Sequence, residues 1–590
     1  MNQSLHDVLD QQDQITPSHQ LAAAVATTSF LLSACGGGGG SATTSPPITP
    51  PVAVTKPSNE AGAARFLAQA GFGGDAAARQ KILQNGLEPW LKEQFAMPQG
   101  LPRWDEISAI KISDPQAYAV TWQQTDNMMW KRIASSPDVL RQRMALALSE
   151  IFVVNNGGVD VPARAHALCA YMDMLEKNAF GDFRQLLEDV SLHPAMGRML
   201  GTMFNRKEDA ATGRRPDENY AREVMQLFSI GLYELNQDGS IKTDAGGLAR
   251  ESYSQDDVSN LARVFTGWST FLDWTVGGTP DPNLMRIPMT HDPKKHSLLE
   301  KKFLTTLIPA GTLGMESLKI ALDTLANHAN VGPFIGKQLI QRLVTSNPSP
   351  GYISRVAAVF ANNGQGKRGD LKAVVQAILL DTEAHTPPAA GDLFAGKWIE
   401  PMVRVGVFFR AFKFSSPDGQ WRLTSANAFG QQPLNAPSVF NFFRPGYIPP
   451  NSGLIAQNKT APELQIVSEQ SVLTLVNSFA SLLDDPQSFT RRNYYDDAKV
   501  YRQDLKTTGL SVDFSTETAM ATQVDALLEH LNLLLAAGQL SSATKQFIAT
   551  SVGKMSATDA DPVKLATKLL NRVKAAILMV LVAPDSQLLK

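Results

Sequence analysis

SPDVLRQRMALALSEI, residues 136–151, gives the clearest secondary-structure signal in the chain. Ser136 is a residue type that caps helices, and Pro137 suits a first helical turn, so we predict a helix that starts here with Ser136 as its N-cap. Apolar residues then recur at steps of four and three, which places them on one helical face. They are Leu140, Met144, Leu148 and Ile151. The stretch predicts an amphipathic helix packed against a core.

The same period recurs along the chain from about residue 60, whereas the alternation typical of strands is rare. We therefore predict a mainly α protein, a large irregular helical bundle. Glycines and prolines in Thr270–Met289 leave room there for minor short β-hairpins. The break PPAAG at 387–391 predicts a boundary between a helical core domain, 61–390, and a C-terminal helical part, 391–590, which could also complete the same core.

Composition excludes several classes of protein. The 590 residues are 43% hydrophobic and 19% charged, as in folded globular proteins. Because 54 Lys and Arg nearly balance 56 Asp and Glu, the charge does not favour nucleic acid as a partner. Two cysteines are too few for a disulfide framework or a thiolate zinc module.

The N-terminal segment predicts export and lipid attachment. Leu21–Ala34 carries no charge and is too short to span a bilayer, which is typical of the apolar region of a signal peptide. It ends in LSAC, which resembles a bacterial lipoprotein signal. Residues 1–34 would then be the signal peptide, and Cys35 the lipidated first residue of the mature protein. Gly36 in the next position resembles the signal for outer-membrane sorting.

Residues 35–60 are rich in Gly, Ser, Thr and Pro, as expected for a flexible tether. Each buried acyl methylene contributes about 0.8 kcal/mol, so the three chains implied by the resemblance would hold the protein on a membrane. We therefore expect an outer-membrane lipoprotein of the cell envelope, facing the periplasm or the surface. Residues 1–20 contain no Lys or Arg, unlike a usual signal peptide. The alternative is a disordered tail with an incidental cysteine.

PDENYAREVMQLFSIG, residues 216–231, is the densest candidate for chemistry. On a helix Glu218 and Arg222 would form an outward ion pair, and Glu223 would lie at the shoulder of the buried face. That face would consist of Tyr220, Val224, Leu227 and Phe228. A partly desolvated carboxylate has a raised pKa, which suits Glu223 to proton transfer. The alternative, which spacing alone favours, is a surface ion pair and a carboxylate bonded to a neighbouring loop.

HDPKKH, residues 291–296, is a compact polar cluster in a predicted loop. His291 beside Asp292 could supply a general base or acid. We predict no metal site, because His291 and His296 lack the helical spacing of a histidine ligand pair. Upstream, Ser254 and Asp257 predict a capping box at the start of another helix. The sequence contains neither a Gly-x-Ser-x-Gly nor a His-Glu-x-x-His motif.

Several of these motifs together resemble the bacterial domain-of-unknown-function family numbered 1800, from about residue 61 to the end. The motifs are ARFL at 64–67, GFG at 71–73, HPAM at 193–196, the segment Asp217–Gly231, the helix ending in Thr266-Gly267-Trp268, His291-Asp292, and APSVFNFFRPGY at 436–447. Two departures from the family pattern are Asp217, where Asn is usual, and SEIF at 149–152, which replaces an aromatic-His pair.

The resemblance implies a large, mostly helical exported protein with no assigned reaction. It also implies a neighbouring exported protein with a sulfatase-like or phosphatase-like domain as a potential partner. His193 joins Asn219 and Arg222 as a candidate ligand-binding residue, while Glu223, His291 and Asp292 are the candidate catalytic residues. The sequence identifies no cofactor.

Two functions follow from these observations. The first is a lipid-anchored protein that binds a co-exported enzyme or a surface polysaccharide. The alternative is an envelope hydrolase built on Glu223, His291 and Asp292. Aromatic residues around 398–447 could stack on sugar rings, although packing in the core explains most of them more simply.

Overall fold

The computed structural model describes most of the chain beyond its first 52 residues. The described ranges are 53–113, 122–161, 163–270, 281–389, 394–417, 429–487, 493–495, 501–503 and 509–590, with the single residues 392, 419, 421 and 423. The predicted signal peptide, Cys35 and most of the tether therefore lie outside the described residues. So does 271–280, within the segment predicted to form hairpins.

The described residues confirm a mainly α fold. The α-helices are α1 Glu60–Ala70, α2 Ala76–Asn85, α3 Leu87–Ala96, α4 Arg103–Ser113, α5 Trp122–Ser135, α6 Val139–Ser149, α7 Arg164–Asn178, α8 Phe183–Leu192, α9 Pro194–Met199, α10 Asn219–Gln226, α11 Gln255–Ala262, α12 Gly314–Asn327, α13 Val331–Leu343, α14 Pro350–Ala361, α15 Leu371–Leu380, α16 Thr382–His385, α17 Pro401–Ala411, α18 Glu469–Asp484, α19 Ser515–Ala519, α20 Val524–Leu535, α21 Ser542–Gly553 and α22 Pro562–Val582. Short 3-10 turns occur at Pro282–Met285, Pro462–Ile466 and Pro584–Gln587.

Strands are short and pair only antiparallel in the part of the chain that the structure describes. They are β1 Trp268–Ser269, β2 Thr290–His291, β3 Lys301–Phe303, β4 Thr306–Ile308, β5 Lys397–Trp398, β6 Asn493–Tyr495, β7 Tyr501–Gln503 and β8 Leu588–Leu589. β1 pairs with β2, β3 with β4, β5 with β8, and β6 with β7. The β1–β2 pair brackets the segment predicted to contain hairpins, and β5–β8 brings the end of the chain beside residue 397.

Helix α6 confirms the predicted apolar face but not the predicted start. Leu140, Met144, Leu148 and Ile151 are all buried. The helix begins at Val139 with Asp138 as its N-cap residue, not at Ser136. The Ser136 hydroxyl donates to the Asp138 carboxylate at 2.5 Å, so it is engaged by a side chain instead of capping the backbone. At α11 the predicted capping box between Ser254 and Asp257 is present.

Two apolar clusters form the core, and α6 contributes to both. Met144 belongs to the larger cluster, which is built mainly from the helices between α1 and α16. Leu146 belongs to the second, which is built mainly from α17 to α22. Since Val139 packs against both clusters, α6 lies where they meet. The predicted division at residue 390 stays a prediction. Among the described residues, no helix combines the length and apolarity that crossing a bilayer requires.

Candidate functional site

The helix predicted around Glu223 forms as α10, and its first residue, Asn219, faces outward. Glu218 and Arg222 make the predicted ion pair, with 3.6 Å between Oε2 and Nη2. Asn219 is exposed and donates its backbone N–H to the Asp217 carboxylate at 2.8 Å. Because α10 ends at Gln226, Leu227 is only half-buried, which corrects its predicted place on the buried face.

Glu223 is more deeply buried than a shoulder position suggests, with 7% of the residue exposed. Its Oε2 has no hydrogen-bond partner among the described residues. Burial raises the pKa of this carboxyl, and the charge of Arg222 only partly opposes that effect. The side chain therefore has the desolvated character expected of a proton-transfer group.

His291 lies on β2 and packs against aromatic neighbours. Its ring centroid is 4.9 Å from that of Trp268 and 4.9 Å from that of His296. Burial lowers the pKa of His291, although the charge of Asp292 partly opposes this, so its imidazole is neutral at pH 7. The Asp292 carboxylate accepts hydrogen bonds from Lys295 and from the Lys294 backbone, which lower its pKa. Asp292 is thus already engaged in holding this turn.

His193 has a structural contact at the start of α9. Its Nδ1 accepts the Ala195 N–H at 3.1 Å, so His193 is the N-cap of that helix. Its ring packs edge-on against Tyr171 with centroids 5.1 Å apart. Burial lowers the pKa of His193 to about 3, which keeps it neutral.

The candidates interact with near neighbours in sequence, Glu223 with Arg222 and His291 with Asp292. Within the described ranges, no hydrogen bond, ion pair or ring contact links Glu223 with His291. The described residues also contain no group of three or more His, Cys, Asp or Glu suited to a metal ion. The roles predicted for Glu223, His291 and Asp292, and for His193, Asn219 and Arg222, stay predictions.

A buried cluster of charged side chains lies beside α6 instead. Arg342 on α13 approaches Glu150 with 3.4 Å between Nε and Oε2. Arg143 approaches Glu400 with 3.6 Å between Nη1 and Oε1. Lys397 pairs with Glu463 at 3.0 Å. All six side chains are at most 3% exposed. We call these six residues the buried charge cluster.

Two carboxyl groups of this cluster are coupled. Burial raises the pKa of Glu150 well above its usual value, and the nearby Glu400 raises it further. Burial alone would also raise the pKa of Glu400, but the hydrogen bond from Glu150 and the charge of Arg143 hold it below its usual value. The pKa of Glu150 therefore lies above that of Glu400, so Glu150 is the member of the pair that keeps its proton to higher pH.

The buried charge cluster reaches a large cleft through Glu150 and Arg342. The cleft has a volume of about 510 Å³. Its lining residues are Glu150, Ile151, Gln226, Leu227, Leu232, Phe334, Gln338, Arg342, Val439, Phe440, Arg444 and Pro445. We call this space the Phe334 cleft. A smaller cavity of about 200 Å³ shares Leu232, Phe334, Gln338 and Pro445 with it, so the two adjoin.

Polar atoms of three residues that line the Phe334 cleft, Glu150, Gln338 and Arg342, lack a hydrogen-bond partner among the described residues. Gln338 is 6% exposed, and its Nε2 finds no hydrogen-bond acceptor among the described residues. A buried amide without a partner costs free energy, so an acceptor on a bound molecule would be favoured there. The cleft thus combines apolar walls with a buried donor and a carboxyl group of raised pKa, the usual composition of a ligand site.

Sequence reasoning missed this site, although the chain contained a signal for it. Arg143 stands within the apolar run of α6, and Arg342 follows Leu339 and Ile340 on the core face of α13. Charged residues at positions expected to be buried indicate a paired cluster. Glu150 was visible only as part of the SEIF departure.

The fold and cleft define a mainly α-helical protein with a buried charge cluster beneath an open, largely apolar cleft. The chain belongs to the family described as Protein of unknown function (DUF1800), whose sequence model matches residues 65–588. This confirms the family resemblance over nearly the whole chain. The comparisons match no curated protein and no solved structure.

Proposed function

We propose that this chain is a lipid-anchored protein of the cell envelope that binds a surface polysaccharide in the Phe334 cleft. The observation that carries the proposal is the cleft itself. Its volume of about 510 Å³ lies in the range of ligand sites, and Phe334 and Phe440 give it aromatic walls. Aromatic rings suit the apolar faces of sugars, while Gln338 and Glu150 offer hydrogen bonds to polar groups.

The adjoining cavity supports an extended ligand over a small one. It continues from the shared Phe334 and Gln338 toward Tyr233 and Gly446. A chain of sugar units would occupy both spaces at once. In this role the protein would hold the polymer for a co-exported enzyme of the sulfatase-like or phosphatase-like kind.

The test uses the full chain purified from membranes in detergent and applied to immobilised dextran, dextran sulfate and polygalacturonate. Leu232→Trp would fill the cleft, because Leu232 lines it and is 49% exposed. Leu248→Trp is the matched control, because Leu248 is 71% exposed and does not line the cleft. We expect retention on at least one polymer, lost only in Leu232→Trp. Retention on none, or equal retention by both variants, would overturn the proposal.

A second candidate, an envelope hydrolase, is favoured by Glu223, whose carboxyl group is buried and has one unpartnered oxygen among the described residues. It predicts that Glu223→Gln and His291→Ala fail to complement a deletion strain, whereas the half-buried Glu218→Gln succeeds. Full complementation by correctly folded Glu223→Gln and His291→Ala would exclude it.

A further inference from the structure

Two cations that line the Phe334 cleft and its adjoining cavity, Lys337 and Arg444, have no acidic partner among the described residues. Lys337 on α13 lines the smaller cavity, and its Nζ has no hydrogen bond or ion pair within the part of the chain that the structure describes. Burial lowers the pKa of Lys337, because removing the ammonium group from water destabilises its charged form. An anion bound beside Lys337 would stabilise the charged form of the lysine.

Arg444 supplies a second cation, from an exposed loop position that lines the Phe334 cleft. Its guanidinium lies 5.0 Å from the centroid of the Phe440 ring, which holds it at the cleft wall. No carboxylate among the described residues forms an ion pair with it, so its N–H groups remain available.

Acidic side chains contribute little charge to the described lining of the two spaces. Glu150 is the one acidic residue among the described residues that line the two spaces. It lies 3.4 Å from Arg342, and burial and the nearby Glu400 raise its pKa, so it opposes the three cations weakly at most. The lining therefore carries net positive charge, formed by Lys337, Arg342 and Arg444.

The charged side chains Lys337 and Arg444 are donors, although the unpartnered polar atoms of the lining also include acceptors, namely both Glu150 oxygens and Gln341 Oε1. Lys337 and Arg444 can only donate hydrogen bonds, and the unpartnered atom of Gln338 is the amide nitrogen, which is also a donor. Lys337 adjoins Gln338 in sequence, and Arg444 adjoins Pro445, and both Gln338 and Pro445 line the two spaces. Donors and positive charge are thus concentrated at one place.

We infer that the polysaccharide bound in the Phe334 cleft is acidic, with carboxylate or sulfate groups bound by Lys337, Arg444 and the Gln338 amide. This inference rests on the proposed function and deepens it by naming the chemistry of the ligand. Neutral sugars would leave both cations without a partner. Carboxylate and sulfate both supply charged acceptors, which form the stronger class of hydrogen bond.

The test compares dextran with dextran sulfate, which share a backbone and differ in charge, and adds polygalacturonate as the carboxylate probe. Binding to the full chain in detergent is measured at about 50 and about 500 mM salt, because salt screens exposed charges. The variants are Lys337→Gln and Arg444→Gln. Their controls are Lys92→Gln and Arg206→Gln, which remove one charge each from exposed positions outside the cleft.

We expect dextran sulfate or polygalacturonate to bind at least about tenfold tighter than dextran, and whichever binds tighter reveals the preferred anion. Each cleft variant should weaken that binding about three- to tenfold, and the controls should leave it unchanged. Should Lys337→Gln unfold, the exposed Arg444→Gln alone decides. Equal binding of dextran, or equal losses in cleft and control variants, would overturn the acidic ligand. Binding to none of the polymers would overturn the proposed function itself.

Discussion

At the scale of the residue, the coupled pair Glu150 and Glu400 determines how charge is distributed beneath the cleft. Arg143 lies near Glu400, and Gln431 donates to the other Glu400 oxygen at 2.8 Å. Arg143 and Gln431 therefore stabilise the ionised form of Glu400. Glu150, which lines the cleft, is assigned the proton because its pKa is raised whereas that of Glu400 is lowered.

This assignment predicts that replacing glutamate with glutamine has a small effect on stability at position 150 and a large effect at position 400. Glu150→Gln replaces a neutral acid with a neutral amide, so it should change the free energy of unfolding by less than about 1 kcal/mol. Glu400→Gln leaves Arg143 buried without its counter-charge and should cost about 3–5 kcal/mol. Urea titration of both variants is the measurement. Equal losses would show that Glu150 is ionised as well.

His193 predicts a loss of stability in acid. Its pKa is about 3 in the folded state and 6.5 when unperturbed, so the unfolded chain binds more protons between these values. Stability is therefore complete above pH 6.5 and falls as the pH falls, by about 2 kcal/mol at pH 5 from this residue. His193→Asn keeps a capping side chain and should remove that part of the loss. Denaturant midpoints at pH 7 and pH 5 measure it, and an unchanged acid loss in the variant would contradict this account.

At the scale of the element, His291 depends on the glycine at the start of α12. A Cβ built on Gly314 would lie 1.9 Å from His291 Nε2, so the ring rests directly on the helix backbone. Gly553, at the end of α21, has nothing within 4 Å of the same position. The two glycines therefore form a matched pair for testing close approach.

Gly314→Ala should displace the His291 ring and cost about 1–3 kcal/mol, because overpacking forces side chains and backbone apart. Gly553→Ala should be neutral or slightly stabilising, since alanine favours helix at an open position. Thermal unfolding of both variants is the check. A neutral Gly314→Ala would mean that His291 is free to move.

The helical period predicted the elements better than it predicted the site. In α6 and α10 the spacing of apolar residues identified faces that are in fact buried, because helix packing is a local consequence of sequence. The buried charge cluster could not be assembled in this way. Arg143 donates to the backbone of Arg342, which is 199 positions away, and such pairings depend on how helices pack.

Helix starts were also only partly predictable. The capping box at Ser254 is a local exchange of two hydrogen bonds and was predicted correctly. Ser136 failed as a cap because Asp138, two residues on, accepts its hydroxyl. Competition between adjacent polar side chains is not encoded in spacing alone.

At the scale of the whole molecule, the proposed anchor determines where the cleft would work. If Cys35 carries lipid, the full chain should partition with membranes, and Cys35→Ser should move it to the soluble fraction. Mass spectrometry of the mature N-terminus measures the acyl groups directly. An unprocessed N-terminus on the wild-type chain would contradict lipidation, and with it the proposed location of the cleft in the cell envelope.

The central claim is that the Phe334 cleft is the binding site. Hydrogen exchange of the full chain, with and without dextran sulfate or polygalacturonate, tests it most directly, since a bound polymer slows exchange where it rests. We predict slower exchange in three segments that line the cleft and its adjoining cavity, 226–235, 334–342 and 439–446. Protection confined to other segments, such as 291–296, in a chain that binds the polymer would contradict the claim.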